Sequence, residues 1–248
     1  MHMEISLLTD VGQKRSNNQD YINRYKNRAG IDLIVLADGM GGHRAGHIAS
    51  EMTATDLGSA WVDTQINNLN DVREWFSTVI EQENQKIYEL GQTEEYKGMG
   101  TTLEAVVTID QQMIYAHVGD SRIGIIRNDE YTQLTSDHSL VGALVRAGQI
   151  TEEEAARHPQ KNIITQSIGQ SEPVEADIAI KSLEPGDYIL INSDGLTNMI
   201  SKEDIRDIVT SDVPLDSKTE TLIRFANKAG GTDNITVGLL HFPQEANE

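Results

Sequence analysis

Short apolar runs recur along this chain, bounded by glycine, proline and acidic residues, and their lengths are those of buried strands. They fall at residues 33–37, 103–109, 113–118, 123–126, 188–191 and 235–240. The stretch 103–126 reads as an antiparallel meander. Its first two runs are joined by Asp110-Gln111-Gln112, which is too short for a parallel crossover. Largely antiparallel sheets follow.

Helical spacing takes over between these groups. Val72, Trp75, Phe76, Val79, Ile87 and Leu90 share one face of a long amphipathic helix, predicted to start after an Asn70 cap. Ser139 caps a short helix with Leu140, Val141, Leu144 and Val145 inward and Gly148 as its stop, and Thr151 with Glu154 forms a capping box ahead of Pro159. Residues 137–165 therefore read as a small helical insert. Ser201 opens a helix carrying Ile205, Ile208 and Val209. Ser217 with Glu220 opens a last one carrying Leu222, Ile223, Ala226 and Ala229, stopped by Gly230-Gly231. Grouped strands with helices before and after predict an α+β fold of stacked sheets covered by helices, not a doubly wound parallel sheet. Residues 1–248 are expected to form one domain.

Composition narrows the chemistry. Aromatics make up 5% of the 248 residues and hydrophobic residues 38%, so the core has to be mainly aliphatic. Lys and Arg number 20 against 39 Asp and Glu, a formal charge of -19 that repels nucleic acid and anionic lipid. There is no cysteine, which excludes disulfides, thiolate-zinc sites and every phosphatase with a cysteine nucleophile. Metal chemistry here must use oxygen or imidazole. The N-terminus lacks the plan of a signal peptide, and no apolar run nears the roughly 18 residues of a membrane span. The expectation is a cytoplasmic protein with neither membrane nor nucleic acid as partner.

The candidate chemistry lies where the apolar runs give out. Asp38 follows 33–37, Asp120 follows 113–118, Asp194 follows 188–191 shortly after, and Asp233 precedes Ile235. Carboxylates at strand ends can converge at one sheet edge, where their repulsion calls for a cation. Asp-Gly is also a turn signal, and both Asp38-Gly39 and Asp194-Gly195 fit it. No return strand directly follows either pair, however, so a two-residue hairpin is a poor account of either, and turn and metal site stay open as readings. In Asp38-Gly39-Met40-Gly41-Gly42-His43, three glycines let the backbone approach a ligand and bring carbonyl oxygens near a cation. A nucleotide-binding P-loop is ruled out, because it needs Lys-Ser or Lys-Thr where this segment has His43-Arg44.

Seven stretches in order carry a family resemblance. They are Thr9-Asp10-Val11-Gly12 with Arg15-Ser16-Asn17-Asn18-Gln19-Asp20, then Asp38 to His43, Gly98-Met99-Gly100-Thr101-Thr102, Gly119-Asp120-Ser121-Arg122, Asp137-His138-Ser139, Ser193-Asp194-Gly195 and Asp233-Asn234-Ile235-Thr236. Through them nearly the whole chain resembles the bacterial branch of the type 2C metal-dependent serine/threonine protein phosphatases.

The resemblance implies an α-β-β-α sandwich of two antiparallel sheets flanked by helices, with the metal centre at one end. It implies that Asp38 bridges two Mn²⁺ or Mg²⁺ ions, that the Gly39 carbonyl ligates one, and that Asp194 and Asp233 ligate the other. Asp120 with Asp194 would hold a third, weaker ion, and Asp20 would act through bound waters. Oxygen-rich ligation suits Mg²⁺ or Mn²⁺ better than zinc, and two such ions sharing a water lower its pKa for attack on phosphorus.

Arg15 is the candidate phosphate clamp, since a guanidinium fork binds two phosphate oxygens and keeps its charge. Arg44 and Arg122 are weaker candidates. His43 is the candidate for proton donor to the leaving oxygen or for a phosphate contact. Met40 stands where the animal branch has a histidine after Asp-Gly, and Gln19 stands where many relatives carry an acidic residue. His117, inside an apolar run, reads as structural. The resemblance identifies 137–165 as a flap beside the cleft. It implies phosphorylated proteins as substrates, a cognate serine/threonine kinase as opposing partner, and a monomer. An alternative substrate is an antagonist protein in a sigma-factor switch. A catalytically silent scaffold would lack the metal aspartates, and a calcium-loop protein would show Asp-x-Asp-x-Asp-Gly repeats; neither description fits.

Overall fold

The computed structural model describes residues 3–41 and 45–243. The apolar runs become strands buried on both faces, and strand alternation divides each run between two cores. In β3 (Asp32–Met40), Leu33 and Val35 point toward α1 (Ala45–Val62) and α2 (Leu69–Gly91), where Leu57, Trp61, Phe76 and Ile80 complete one core. Ile34 and Leu36 point the other way, into a core shared with Ile123 and Ile125 of β7 (Arg122–Arg127) and Ile189 and Ile191 of β10 (Tyr188–Asn192). A third core lies beyond the second sheet. There Leu190, Val237 and Leu239 meet Leu196, Ile205, Val209 and Leu222 from α5 (Asp194–Thr197), α6 (Lys202–Thr210) and α7 (Leu215–Lys228). Helices, sheet, sheet and helices thus stack in four layers, as expected.

One sheet runs β1-β11-β10-β7-β8, adding β1 (Glu4–Asp10), β8 (Glu130–Gln133) and β11 (Ile235–His241). The other runs β2-β3-β5-β6-β9, adding β2 (Asp20–Lys26), β5 (Leu103–Ile109), β6 (Gln112–Val118) and β9 (Asp177–Ser182), with the short β4 (Gly100–Thr101) paired to the end of β3. Every pairing is antiparallel. The six runs read from the sequence are the six interior strands. The four sheet edges, β1, β2, β8 and β9, escaped notice because an edge strand buries one face or less and shows no continuous apolar run.

Four expectations need correction. The stretch 103–126 is not a single meander: β5 and β6 form a hairpin, but β6 then pairs with β9 while β7 crosses to the other sheet beside β10. Gly119 makes that crossing at φ 115°, and a Cβ there would lie 2.7 Å from the Cβ of Thr102. The long helix is capped by Asn68, which accepts from the Asp71 amide, rather than by Asn70. The last helix begins after Pro214, whose fixed φ suits a helix entry, so Ser217 lies inside the first turn. Asp38 does not follow its strand but continues it, opposite Asp20.

The segment 137–165 holds α3 (Leu140–Arg146), capped by Ser139, and α4 (Glu152–Ala156), opened by the Thr151 and Glu154 capping box. Of the apolar residues expected inward on α3 only Val141 is buried, because the helix faces a cavity and not a core. Ser139 and Ile164 bridge the two ends of the segment. Among the described residues no helix is long and apolar enough to cross a membrane.

Phe76 is fully buried between α2 and the sheet. Phe76→Ala is expected to lower unfolding stability by about 3–5 kcal/mol, read as a shift in the urea midpoint. A loss below about 1 kcal/mol would mean that this layer does not pack as described.

Candidate metal centre

Asp38 reaches its position because β3 runs on past its apolar residues. The Asp38 amide donates to Thr102 Oγ1 (3.0 Å), and the Asp38 carbonyl accepts from the Thr102 amide and Thr101 Oγ1, each at 2.9 Å. Gly39 follows with its amide on the Gln19 carbonyl at 3.0 Å. A Cβ on Gly39 would lie 2.0 Å from the Gly46 carbonyl oxygen, where α1 begins, so only glycine fits. Asp120 leaves β6 through Gly119, Asp194 opens α5 after β10, and Asp233 precedes β11. Antiparallel order brings all these positions, with Asp20 at the start of β2, to one end of the sandwich.

Asp20 is buried and joins the two sheets. Its Oδ2 accepts from Ser193 Oγ (2.8 Å) and Thr236 Oγ1 (2.7 Å), both from the opposite sheet's side, while its Oδ1 is buried without a partner. These hydroxyls, flanking Asp194 and Asp233 in the sequence, were not singled out from it. Their signal was the recurrence of a hydroxyl or amide beside Asp20, Asp120, Asp194 and Asp233. Gly195 belongs to the same junction, since a Cβ there would lie 1.9 Å from the Asn234 carbonyl oxygen.

The electrostatics follow from crowding. Burial, then the charges of Asp20, Asp194, Asp120 and Asp233, drive Asp38 well above the usual carboxylate range. Burial and the neighbouring Asp120, Asp233 and Asp20 push Asp194 up to about 8. Burial raises Asp120 to about 6, helped by Asp137 and opposed by Arg122; it raises Asp20 to about 6 despite the two hydroxyls. An oxygen-only set of mutually repelling carboxylates, one with an unpartnered buried oxygen, fits hard divalent cations.

Arg15 stands at the rim, half exposed, with Nη2 donating to Asp233 Oδ2 at 2.8 Å. Its loop is held by Asn234, whose Nδ2 donates to the Val11 and Asn17 carbonyls and whose Oδ1 accepts from the Gln19 amide. Arg122 is engaged elsewhere, with Nε and Nη2 forked onto Asp137 at 2.9 and 2.7 Å. His43 and Arg44 lie outside the described residues. His117 is fully buried, with Nδ1 2.5 Å from Glu104 Oε1 and Nε2 3.1 Å from the Ser136 carbonyl. With His138 and Asp177 it forms a second cluster whose ligand atoms lie within 4.8 Å of one another. A cavity of 690 Å³ runs from Asp120 and Asp194 to the 137–165 segment, past Val141, Val145, Arg146 and Lys161.

Back-to-back antiparallel sheets between helices, with a carboxylate cluster at one end, define a scaffold built to hold divalent cations. The family model described as Protein phosphatase 2C matches residues 11–236, and the chain belongs to that metal-dependent family. It is 70% identical over 243 residues to Protein phosphatase PhpP of Streptococcus pneumoniae, covering 98% of this chain and 99% of that one. It is 40% identical to Serine/threonine phosphatase stp of Listeria innocua, covering 97% and 95%. The solved serine/threonine phosphatase of S. agalactiae superposes with a TM-score of 0.95 at 64% identity, covering 97% and 99%. The chain is a bacterial-type serine/threonine protein phosphatase.

A carboxyl whose native pKa lies above its unfolded value contributes stability at low pH that is lost as pH rises through the native pKa. For Asp194 that window runs from its ordinary 3.8 to about 8. In chelator the melting temperature is therefore expected to fall between pH 5 and pH 8. Adding Mn²⁺ is expected to raise it more at pH 8, where the carboxylates carry no competing protons. Equal Mn²⁺ shifts at both pH values, read by scanning calorimetry, would contradict the crowded-carboxylate account.

Proposed function

We propose that this protein hydrolyses phosphoserine and phosphothreonine esters in proteins, with Mn²⁺ or Mg²⁺ held in the aspartate cluster: two ions in a core and a third bound more weakly. The observation that carries this reading is the convergence of Asp38, Asp194 and Asp233 around buried Asp20, where burial and neighbouring carboxylates raise the pKa values of Asp38, Asp194 and Asp20. Asp38 would bridge the core ions, the Gly39 carbonyl would ligate one, and Asp194 and Asp233 would ligate the other. Asp120 with Asp194 would hold the third, and Asp20 would act through waters. When bound, such ions lower the pKa of water and offset the charge of an incoming phosphate.

The chain's own residues supply the rest. Arg15 uses one of its five N–H donors on Asp233, so the others are available to fork onto phosphate oxygens at the rim. The Asp20 carboxylate keeps the two sheet ends together through Ser193 and Thr236, which holds Asp38 and Asp194 in fixed relation. His43 is assigned to the substrate phosphate or the leaving oxygen. With no cysteine in the chain, direct hydrolysis needs no thiol-borne phospho-enzyme. Residues 137–165 act as a flap whose cavity receives the peptide around the phosphorylated residue. We read the whole chain as one monomeric cytoplasmic catalytic domain that opposes a serine/threonine kinase.

Hydrolysis of a phosphothreonine peptide is expected to require Mn²⁺ and to fall on the order of 100-fold or more in Asp194→Ala. Equal rates with and without Mn²⁺, in wild type and variant alike, would end the proposal. Arg15→Ala is expected to raise KM about 10- to 100-fold, the worth of hydrogen bonds to a charged group, while calorimetric Mn²⁺ binding is retained. Loss of Mn²⁺ binding would instead place Arg15 in the metal site.

A further inference from the structure

His138 meets Gly119 at two points. Its backbone amide donates to the Gly119 carbonyl at 2.7 Å, and its ring Nδ1 accepts from the Gly119 amide at 3.2 Å. Gln166 Nε2 also donates to Nδ1, at 3.1 Å, and the same Nε2 donates to the Glu175 carbonyl at 2.8 Å, which fixes it as a donor. Two N–H groups facing Nδ1 make it the acceptor nitrogen, so the ring proton sits on Nε2 and is donated to Asp177 Oδ2 at 3.2 Å. His117, whose ring packs 4.5 Å from that of His138, turns its own Nε2 to the Ser136 carbonyl and so carries a proton there as well. In this arrangement neither Nε2 offers a lone pair to an ion, and the His117, His138 and Asp177 cluster is a hydrogen-bond network in place of a metal site.

The network ends on the peptide units either side of Gly119. The clamp therefore restrains both φ and ψ of a residue that, as glycine at φ 115°, has no side chain to restrain it. Asp120 is the next residue. We propose that His138 is the positioning residue for Asp120: by holding the Gly119 amide and carbonyl together, it aims the Asp120 carboxylate at the weakest ion site. The proposal rests on the reading of Asp120 as a ligand of that third ion. Partners of this kind, which orient a ligand without touching the metal, typically change metal affinity 10- to 100-fold when lost.

The test compares Mn²⁺ binding by calorimetry, and the Mn²⁺ dependence of phosphothreonine-peptide hydrolysis, in wild type, Asp120→Asn, His138→Gln and His138→Asn. Asparagine places a carbonyl oxygen where Nδ1 lies, whereas glutamine reaches the position of Nε2. The expected result is that Asp120→Asn abolishes the weakest class of Mn²⁺ sites and His138→Gln weakens that class about 10-fold or more, with the tighter class unchanged. His138→Asn should restore it to within about threefold, a rescue that a merely structural role does not produce. Loss in Asp120→Asn alone, or equal loss in both His138 variants, overturns the proposal and leaves the Asp120 reading intact. If Asp120→Asn leaves the weak class unchanged, the ligand reading fails and the proposal falls with it. Should His138→Gln not fold, His138→Asn still decides, because loss of the weak class with the acceptor retained also overturns it.

Discussion

Repulsion among five carboxylates gathered at one end of the sandwich is the constraint around which the other features of this end are organised. The pKa values of Asp38 and Asp194 are raised because burial denies them water and the neighbouring carboxylates crowd them with like charge. Such a cluster holds only if the scaffold behind it is rigid. Aliphatic cores in three layers supply that rigidity, and the sheet ends are pinned where Ser193 and Thr236 both donate to Asp20. At Gly39 and Gly195, beside Asp38 and Asp194, backbones approach too closely for any Cβ.

Charge explains the division of labour at the rim. The protein carries a net charge of -19, and a phosphate approaching it meets an unfavourable field except where cations or arginine offset it. Arg15 is held at the entrance by Asp233 and by a loop tied to Asn234, whereas Arg122 is committed to Asp137. One arginine therefore faces the opening with donors to spare, and the other is part of the wall. The Glu104 and His117 pair is fully buried and lines no part of the cavity. Burial pushes the imidazole toward neutrality, but the Glu104 charge and hydrogen bond outweigh it and hold the His117 pKa above its ordinary value.

The legibility of this fold in its sequence followed burial. Interior strands pack on both faces and so are mostly apolar, with Glu104 and His117 among the buried exceptions, which made β3, β5, β6, β7, β10 and β11 visible as runs. The edge strand β2, Asp-Tyr-Ile-Asn-Arg-Tyr-Lys, buries too little to leave that trace, yet it carries Asp20 into the site. Capping residues were legible where the cap is a local hydrogen bond, as at Ser139, Thr151 and Ser201. They misled at Asn70 and Ser217: the side-chain cap of the long helix is Asn68, and the last helix starts after Pro214 with no side-chain cap.

The sequence by itself determined the order of the motifs, the oxygen-only chemistry of a chain without cysteine, and the aspartates at the ends of apolar runs. Tertiary structure alone decided that β6 and β7 part company at Gly119, that Asp38 continues its strand opposite Asp20, and that His138 closes on the Gly119 peptide. Local sequence reports propensity and burial, because each residue's own side chain sets them. Which distant groups share a hydrogen bond depends on sheet register and on backbone approach across more than a hundred residues, and no single stretch of chain encodes that.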